Sequence, residues 1–271
     1  MADYDSVVAR RHNATKDALA QHRGAVAGAL ADYLKFSGNG SSLQPIPVTP
    51  AVSHALETNF DLLDSNGSHS SIRDEILGSA HNGACPYCNS ATVDTLDHVL
   101  PKTVYPEFSV LAQNLVPSCG TCNRKKGSTC FHSSGLNLMH PYFTKVPNDA
   151  ILVVDVVVTN QEVTWRFSLQ QSASIANDDF ALINNTFTLL ELADRYSDVS
   201  VGEIIDAISG FDDFYADGDP TAVRAFLQKL AVGSQNSRGP NYWKTVILQA
   251  LADSDAFCAG AYRTLIGKPN A

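Results

Sequence analysis

Long apolar runs are missing from this chain. The two longest, Ala25 to Ala31 and the stretch from Ile151 broken at Asp155, fall well short of the roughly eighteen residues a bilayer span requires. No membrane-spanning helix is expected, and no membrane partner. Charge is also sparse at 17%, and basic charge especially so, with 19 Lys+Arg against 28 Asp+Glu for a net −9. Domains that coat nucleic acid indiscriminately are usually strongly basic, so that class drops out while a local basic site does not. Gly and Pro, at 17 and 12, are too few for collagenous or low-complexity chains, and 44% hydrophobic residues exclude intrinsic disorder. There is no internal repeat. The N-terminus carries Asp3 and Asp5 and lacks the basic and apolar blocks of a secretory leader, so a cytoplasmic location is expected.

With 271 residues the chain has room for one large domain or two modest ones. Divided at residue 150, the first part carries 11 Lys+Arg against 13 Asp+Glu and the remainder 8 against 15. The acid is concentrated in the C-terminal part, which suits a scaffold or a partner surface better than a phosphate track.

Helix formers run from about Asp5 to Phe36, with Leu19, Val26, Leu30 and Tyr33/Leu34 at helical spacing. Gly24 and Gly28 imply either a break into two helices or a close approach by another element. Ser37 to Pro50 reads as a loop. Thr49 and Pro50 then open a helix as N-cap and first residue, running to about Leu63. A third helix spans about Ser71 to Ala80, capped by Ser70 or Ser71. Ile151 to Leu169 reads as two strands around a turn at Thr159-Asn160. Helical periodicity returns from about Ile175 and persists to about Ile266, punctuated at Asp217-Gly218-Asp219-Pro220 and again between Gly233 and Pro240. The acids around Asp212 and Asp217 do not match a calcium-loop spacing and read as solvated caps. Three regions are expected: a helical one over 1–80, a metal-bound module over 81–147, and a hairpin with helices over 148–271.

Of six cysteines, Cys85, Cys88, Cys119 and Cys122 form two Cys-x-x-Cys pairs, while Cys130 and Cys258 read as small interior hydrophobes. In a chain of this size two such pairs favour metal over disulfide. Each short turn presents two sulfurs to one side, so the four can hold a tetrahedral Zn²⁺. Four thiolates leave no open position, and that zinc is structural.

Asp97-His98 follows an alternating stretch, Asn114 opens Asn-Leu-Val-Pro, and Asn123 follows the last paired cysteine in Cys-Asn-Arg-Lys-Lys-Gly. In this order the segment 85–127 resembles an HNH endonuclease of the zinc-knuckled ββα-metal (His-Me finger) superfamily, in a layout similar to the endonuclease VII type. The resemblance implies an α+β chain, with a ββα-metal module flanked by mainly α-helical segments. It implies that His98 is the general base, that Asp97 and Asn123 ligate one catalytic Mg²⁺ or Mn²⁺, and that Asn114 fixes the loop holding the histidine. Similar proteins act in bacterial anti-phage defence, sometimes beside an ATPase; by that analogy the helical flanks would serve a protein partner or a homodimer.

The chemistry of these residue types agrees. Phosphodiester hydrolysis needs a deprotonated water and a cation against the charge growing on phosphate. A carboxylate and an amide oxygen are hard ligands suited to Mg²⁺ or Mn²⁺, and histidine is the side chain whose ordinary pKa lies near working pH. Adjacent residues of a strand point to opposite faces, so Asp97 and His98 share one phosphate only if the backbone bends there. Lys102, Arg124, Lys125 and Lys126 form the one dense basic cluster and are candidate phosphate contacts, DNA being favoured over RNA. Arg10, Arg11, Lys16 and Arg23 could extend that track. His132 and His140 are candidate metal or phosphate contacts, with structural roles as the alternative. Two rival functions are a zinc-stapled binding module without turnover and a Cys-x-x-Cys thiol oxidoreductase.

Overall fold

Cap and turn chemistry sets where the N-terminal helices begin and end. In the computed structural model, which describes residues 1–160, 162–215 and 219–267, the chain opens with α1 (Ala2–Ala9), α2 (Asn13–Gln21) and α3 (Arg23–Lys35). The breaks fall between residues 9 and 13 and at His22, and a Cβ added at Gly24 or Gly28 would meet open space. Neither glycine marks the break or the close approach expected of it. Thr49 caps α4 (Pro50–Glu57) as expected, accepting the Val52 N–H at 3.4 Å with Pro50 in the first turn. No serine caps α5 (Ser70–Gly78): His69 precedes it, its ring held by the hydroxyls of Ser68 and Ser6.

The alternation before Asp97 becomes β1 (Thr95–His98), and Asn-Leu-Val-Pro becomes β2 (Leu115–Ser118). The two pair antiparallel, Thr95 opposite Ser118 and His98 opposite Leu115, and α6 (Gly120–Lys126) follows at once. This is the ββα order, and the chain is α+β with small sheets in a mostly helical framework. α7 (Phe131–Ser134) comes next. A two-stranded ribbon this short is marginal in water without support from outside. Support comes from helices α1–α5. Tyr4, Leu30, Tyr33 and Leu56 share one apolar core with Leu100, Tyr105 and Phe108, and Val7, Leu63 and Ile76 share another with Leu96 and Leu115.

Two compact units result, one of residues 1–144 with 181–190 and the other of 145–180 with 191–271. The second unit is built on a hairpin of β3 (Leu152–Val158) and β4 (Val163–Leu169), as expected from the alternating pattern, with Val158 opposite Val163 at the turn. Asn241 fastens its entry, accepting the Ile151 and Leu152 N–H groups at 2.7 and 3.1 Å and donating to the Pro147 and Asp149 carbonyls. α8 (Asn177–Leu189) crosses from the second unit into the first. α9 (Leu192–Phe214), α10 (Pro220–Arg238), α11 (Trp243–Asp253) and α12 (Asp255–Cys258) complete the second unit. Trp165 on β4 donates its indole N–H to Ser200 on α9 at 2.7 Å, and Phe211, Phe257 and Tyr262 pack edge to face. Asp219 caps α10, whereas Asp217 and Gly218 lie outside the described residues. No described helix is long and apolar enough to cross a membrane.

One carboxyl sits inside the first unit. Glu107 is 2% exposed; its Oε1 accepts the Ile46 N–H at 3.0 Å, while Oε2 is buried without a hydrogen-bond partner. Burial pushes its pKa up to about 7 from an ordinary 4.5. Between those values the folded protein keeps a proton that the unfolded chain releases, so stability falls as pH rises through the window. Glu107→Gln removes that dependence. Relative to wild type it is expected to gain about 3 kcal/mol at pH 8 and little at pH 4.5, as read by denaturant titration at both pH values; a gain independent of pH would contradict the assignment.

Candidate functional site

Four buried sulfurs anchor the site. Sγ atoms of Cys85, Cys88, Cys119 and Cys122 lie within 4.8 Å of one another, with Cys88 and Cys119 at 3.9 Å. Tetrahedral zinc with Zn–S near 2.3 Å separates its sulfurs by about 3.8 Å, so the spacing fits that ion. The first pair sits on a turn in which the Asn89 N–H bonds the Cys85 carbonyl at 2.7 Å and Asn89 takes a positive φ of 48°. The second pair opens α6, where Cys119 is the N-cap and its sulfur receives the Cys122 N–H at 3.4 Å. Sulfurs from a turn before β1 and a helix after β2 thus meet at one point. Among the described residues this is the one grouping of three or more His, Cys, Asp or Glu side chains able to share an ion.

Asp97 points into the protein and is 2% exposed. Its Oδ2 accepts the Tyr87 hydroxyl at 2.7 Å and its Oδ1 the Lys126 ammonium at 3.2 Å. Burial raises its pKa, and the Lys126 charge and the Tyr87 hydroxyl act against that rise. Lys126 also donates to the His98 carbonyl at 2.5 Å. This corrects the expectation for Lys126, which belongs not to the exposed phosphate track but to the interior, 2% exposed and tying α6 to β1. Desolvating an ammonium is tolerable only with such partners.

His98 leaves β1 on the other side, as strand alternation dictates; β1 is paired regularly through His98, without the bend that would turn it and Asp97 to one side. Its Nε2 lies 2.8 Å from the Ser109 carbonyl, and Phe60 meets its ring edge to face at 4.5 Å. A carbonyl can only accept, so Nε2 carries the proton and Nδ1 keeps its lone pair. Burial holds the ring pKa down to about 4, which leaves it neutral at neutral pH. Ser109 is fixed in turn by its hydroxyl, which donates to the Leu56 carbonyl at 2.5 Å.

Asn114 uses all of its amide. Oδ1 accepts the Leu100 N–H at 2.8 Å and the Tyr33 hydroxyl at 3.0 Å; Nδ2 donates to the Leu100 and Phe108 carbonyls at 2.9 and 3.2 Å. It pins both ends of the loop that runs from β1 past Ser109. Asn123 on α6 donates through Nδ2 to the Leu96 carbonyl at 3.1 Å and to the Thr95 hydroxyl at 3.3 Å, so its Oδ1 faces away from the strand.

Lys102 lies over Phe60, its ammonium 4.9 Å from the centroid of the ring that also meets His98. Arg124 is exposed and Lys125 half-exposed on α6. Of the proposed extension, Arg11 is committed to Asn59 and Thr58, and Arg23 to Asp5. His132 bonds the Leu43 carbonyl and His140 the Tyr33 hydroxyl, so both are structural, with no ion-binding partners among the described residues. Sequence reasoning missed Tyr87 and Ser109, and placed Tyr33 only as an apolar position on its helix. Tyr87 carried a signal in its position between the first two cysteines; Ser109 carried none.

Fold and site define a class: an α+β protein whose ββα element carries a buried four-cysteine cluster and a carbonyl-oriented histidine. The chain is 30% identical over 215 residues to Protein ea31 of Escherichia phage lambda, covering 74% of this chain and 71% of that one, and it belongs to the ea31 family. A shorter match, 40% identical over 52 residues, links it to Septu protein PtuB of Bacillus thuringiensis, spanning 17% of this chain and 20% of that one. No family model and no solved structure matches the chain.

Two outcomes check this geometry. Thiol titration under native conditions is expected to find the paired cysteines unreactive until a strong chelator is added, and Cys119→Ala to give an insoluble module; four reactive thiols in untreated protein would exclude the metal cluster. Lys126→Met strands the Asp97 carboxylate and is expected to cost about 3 to 5 kcal/mol of stability, measured by urea unfolding; a loss below about 1 kcal/mol would show that the pair is solvated in solution.

Proposed function

We propose that the protein is a metal-dependent HNH endonuclease that hydrolyses phosphodiester bonds, DNA being favoured over RNA. The observation that carries the reading is the His98 ring, held by the Ser109 carbonyl in the tautomer that leaves Nδ1 free to take a proton. Being neutral at working pH, the ring is ready to accept a proton from water as the water attacks phosphorus, and a general base of this kind contributes about 10²- to 10⁴-fold.

Asp97 and Asn123 are the groups that would hold the catalytic Mg²⁺ or Mn²⁺. The donor types fit, a carboxylate and an amide oxygen, but Asp97 is 2% exposed and both of its oxygens already accept from Tyr87 and Lys126, so an ion there would have to share the carboxylate with them. When bound, such an ion supplies charge against the phosphate oxygens and the leaving alkoxide. Lys126 and Tyr87 keep Asp97 in place. Lys102 stands near His98, paired with Asp61 at 3.8 Å, and it, Arg124 and Lys125 are the cations that would seat the backbone without reading sequence. The four-cysteine cluster, filled by zinc, holds β1 to α6 and takes no part in the step.

The similarity to Septu protein PtuB over 52 residues supports a place in anti-phage defence; by that analogy the outer faces of the helical flanks would serve a protein partner such as an ATPase. In supercoiled-plasmid cleavage, the wild type is expected to nick or linearise DNA with Mg²⁺ or Mn²⁺ and not with EDTA, and His98→Ala to be slower by at least about 10²-fold with zinc retained. Equal cleavage by both proteins would overturn the role of His98. Binding of DNA without turnover under every metal condition would favour the binding module.

A further inference from the structure

His140 and Tyr33 lie outside the segment 85–127 and are buried together, with His140 at 4% exposure and Tyr33 at 0%. Donors and acceptors around them fix a single direction of bonding. The Tyr142 N–H, which can only donate, points to His140 Nδ1 at 3.2 Å. A neutral ring then carries its proton on Nε2, which lies 2.9 Å from the Tyr33 hydroxyl oxygen. Having received that proton, the hydroxyl turns its own hydrogen to Asn114 Oδ1 at 3.0 Å, with the Gln113 carbonyl a more distant acceptor at 3.4 Å. Burial keeps both groups in the required state, lowering the pKa of His140 to about 4 and raising that of Tyr33.

We infer that His140 and Tyr33 are positioning residues for His98, acting through Asn114 and the loop that presents the Ser109 carbonyl. The hydroxyl hydrogen joins the Leu100 N–H in holding the Asn114 oxygen, and so reinforces the orientation that sends the amide N–H groups to the carbonyls of Leu100 and Phe108. With the amide reversed, Nδ2 would face the Leu100 N–H and Oδ1 would face two carbonyls, so the loop would lose these bonds together. The Phe108 carbonyl is one residue before the Ser109 carbonyl that holds Nε2 of His98. Gly38 points to the same arrangement. At φ +68° it leaves the space that His140 and Tyr33 share, since a Cβ there would lie 2.7 Å from His140 Cδ2 and 2.9 Å from the Tyr33 oxygen.

The inference rests on His98 being the base, and its test separates the two ideas. ¹⁵N-histidine NMR of the zinc-loaded full chain reports the His98 Nε2–H directly, and plasmid cleavage reports turnover. Tyr33→Phe and His140→Leu are expected to speed exchange of that proton at least about tenfold and to lower kcat about tenfold at unchanged KM, the loss of one hydrogen bond's worth of bias. His140→Gln, whose amide can accept from Tyr142 and donate to Tyr33, is expected to restore both. Zinc content and far-UV circular dichroism should match wild type in all three; if Tyr33→Phe does not fold, the His140→Leu and His140→Gln pair decides. Unchanged His98 exchange in the folded variants overturns the positioning role, whatever happens to kcat. A wild type without turnover overturns the nuclease reading alone, leaving the ring signals to judge the relay.

Discussion

Four sulfurs within 4.8 Å of one another form the constraint on which the rest of the site depends. Four thiolates so close would repel one another, and a zinc ion at their centre, which the spacing fits, would turn the cluster from a cost into a fastening. What it fastens could not stand otherwise. β1 and β2 offer four residue pairs, and α6 is seven residues long, too short to be stable by propensity. With Cys85 and Cys88 ahead of β1 and Cys119 and Cys122 behind β2, one centre closes the hairpin and docks the helix across it. Residues between the cysteines inherit their positions from that closure.

Charge inside this frame is arranged as a set of directed contacts. Lys126 neutralises Asp97 and also holds the His98 carbonyl, so the residue before the histidine and the histidine's own backbone share one ammonium. The ring of His98 turns the other way, to Ser109 and Phe60. Alternation along β1 thus gives two neighbouring residues different surroundings, a paired and buried carboxylate and a neutral imidazole with one free nitrogen. Under the proposed nuclease reading that division suits hydrolysis, where the base must be uncharged at the start and the fixed charge must not move.

The cysteine frame was legible because each Cys-x-x-Cys is a local turn, and the ββα order because alternation, Asn-Leu-Val-Pro and the second knuckle follow one another in the chain. Thr49-Pro50 announced its helix for the same local reason. Lys126 was not legible as a buried residue, since Arg-Lys-Lys reads as a solvated run. A signal existed: successive helix residues turn by about 100°, so three in a row cannot share a face, and Lys126 lies four residues beyond the buried Cys122. The caps and breaks around α1–α3 and α5 were misread because His22 and His69 occupy positions where no propensity rule places them. The contact between Tyr33 and His140 could not have been found, the two being 107 residues apart in sequence and joined only by the fold.

That distance bears on what the family shares. A 215-residue similarity to the lambda protein is far longer than the 43 positions from Cys85 to Gly127, so it necessarily includes flanking chain. In this structure the flanks are not a neutral housing. Tyr33 on α3 meets Asn114, Leu56 on α4 receives the Ser109 hydroxyl, and Phe60 just beyond α4 meets the His98 ring. A ββα element alone supplies the histidine and the sulfurs, whereas the orientation of the ring is set by helices that precede it in the chain. The geometry at His98 is therefore a property of the helical segment and the motif together, and neither part alone reproduces it.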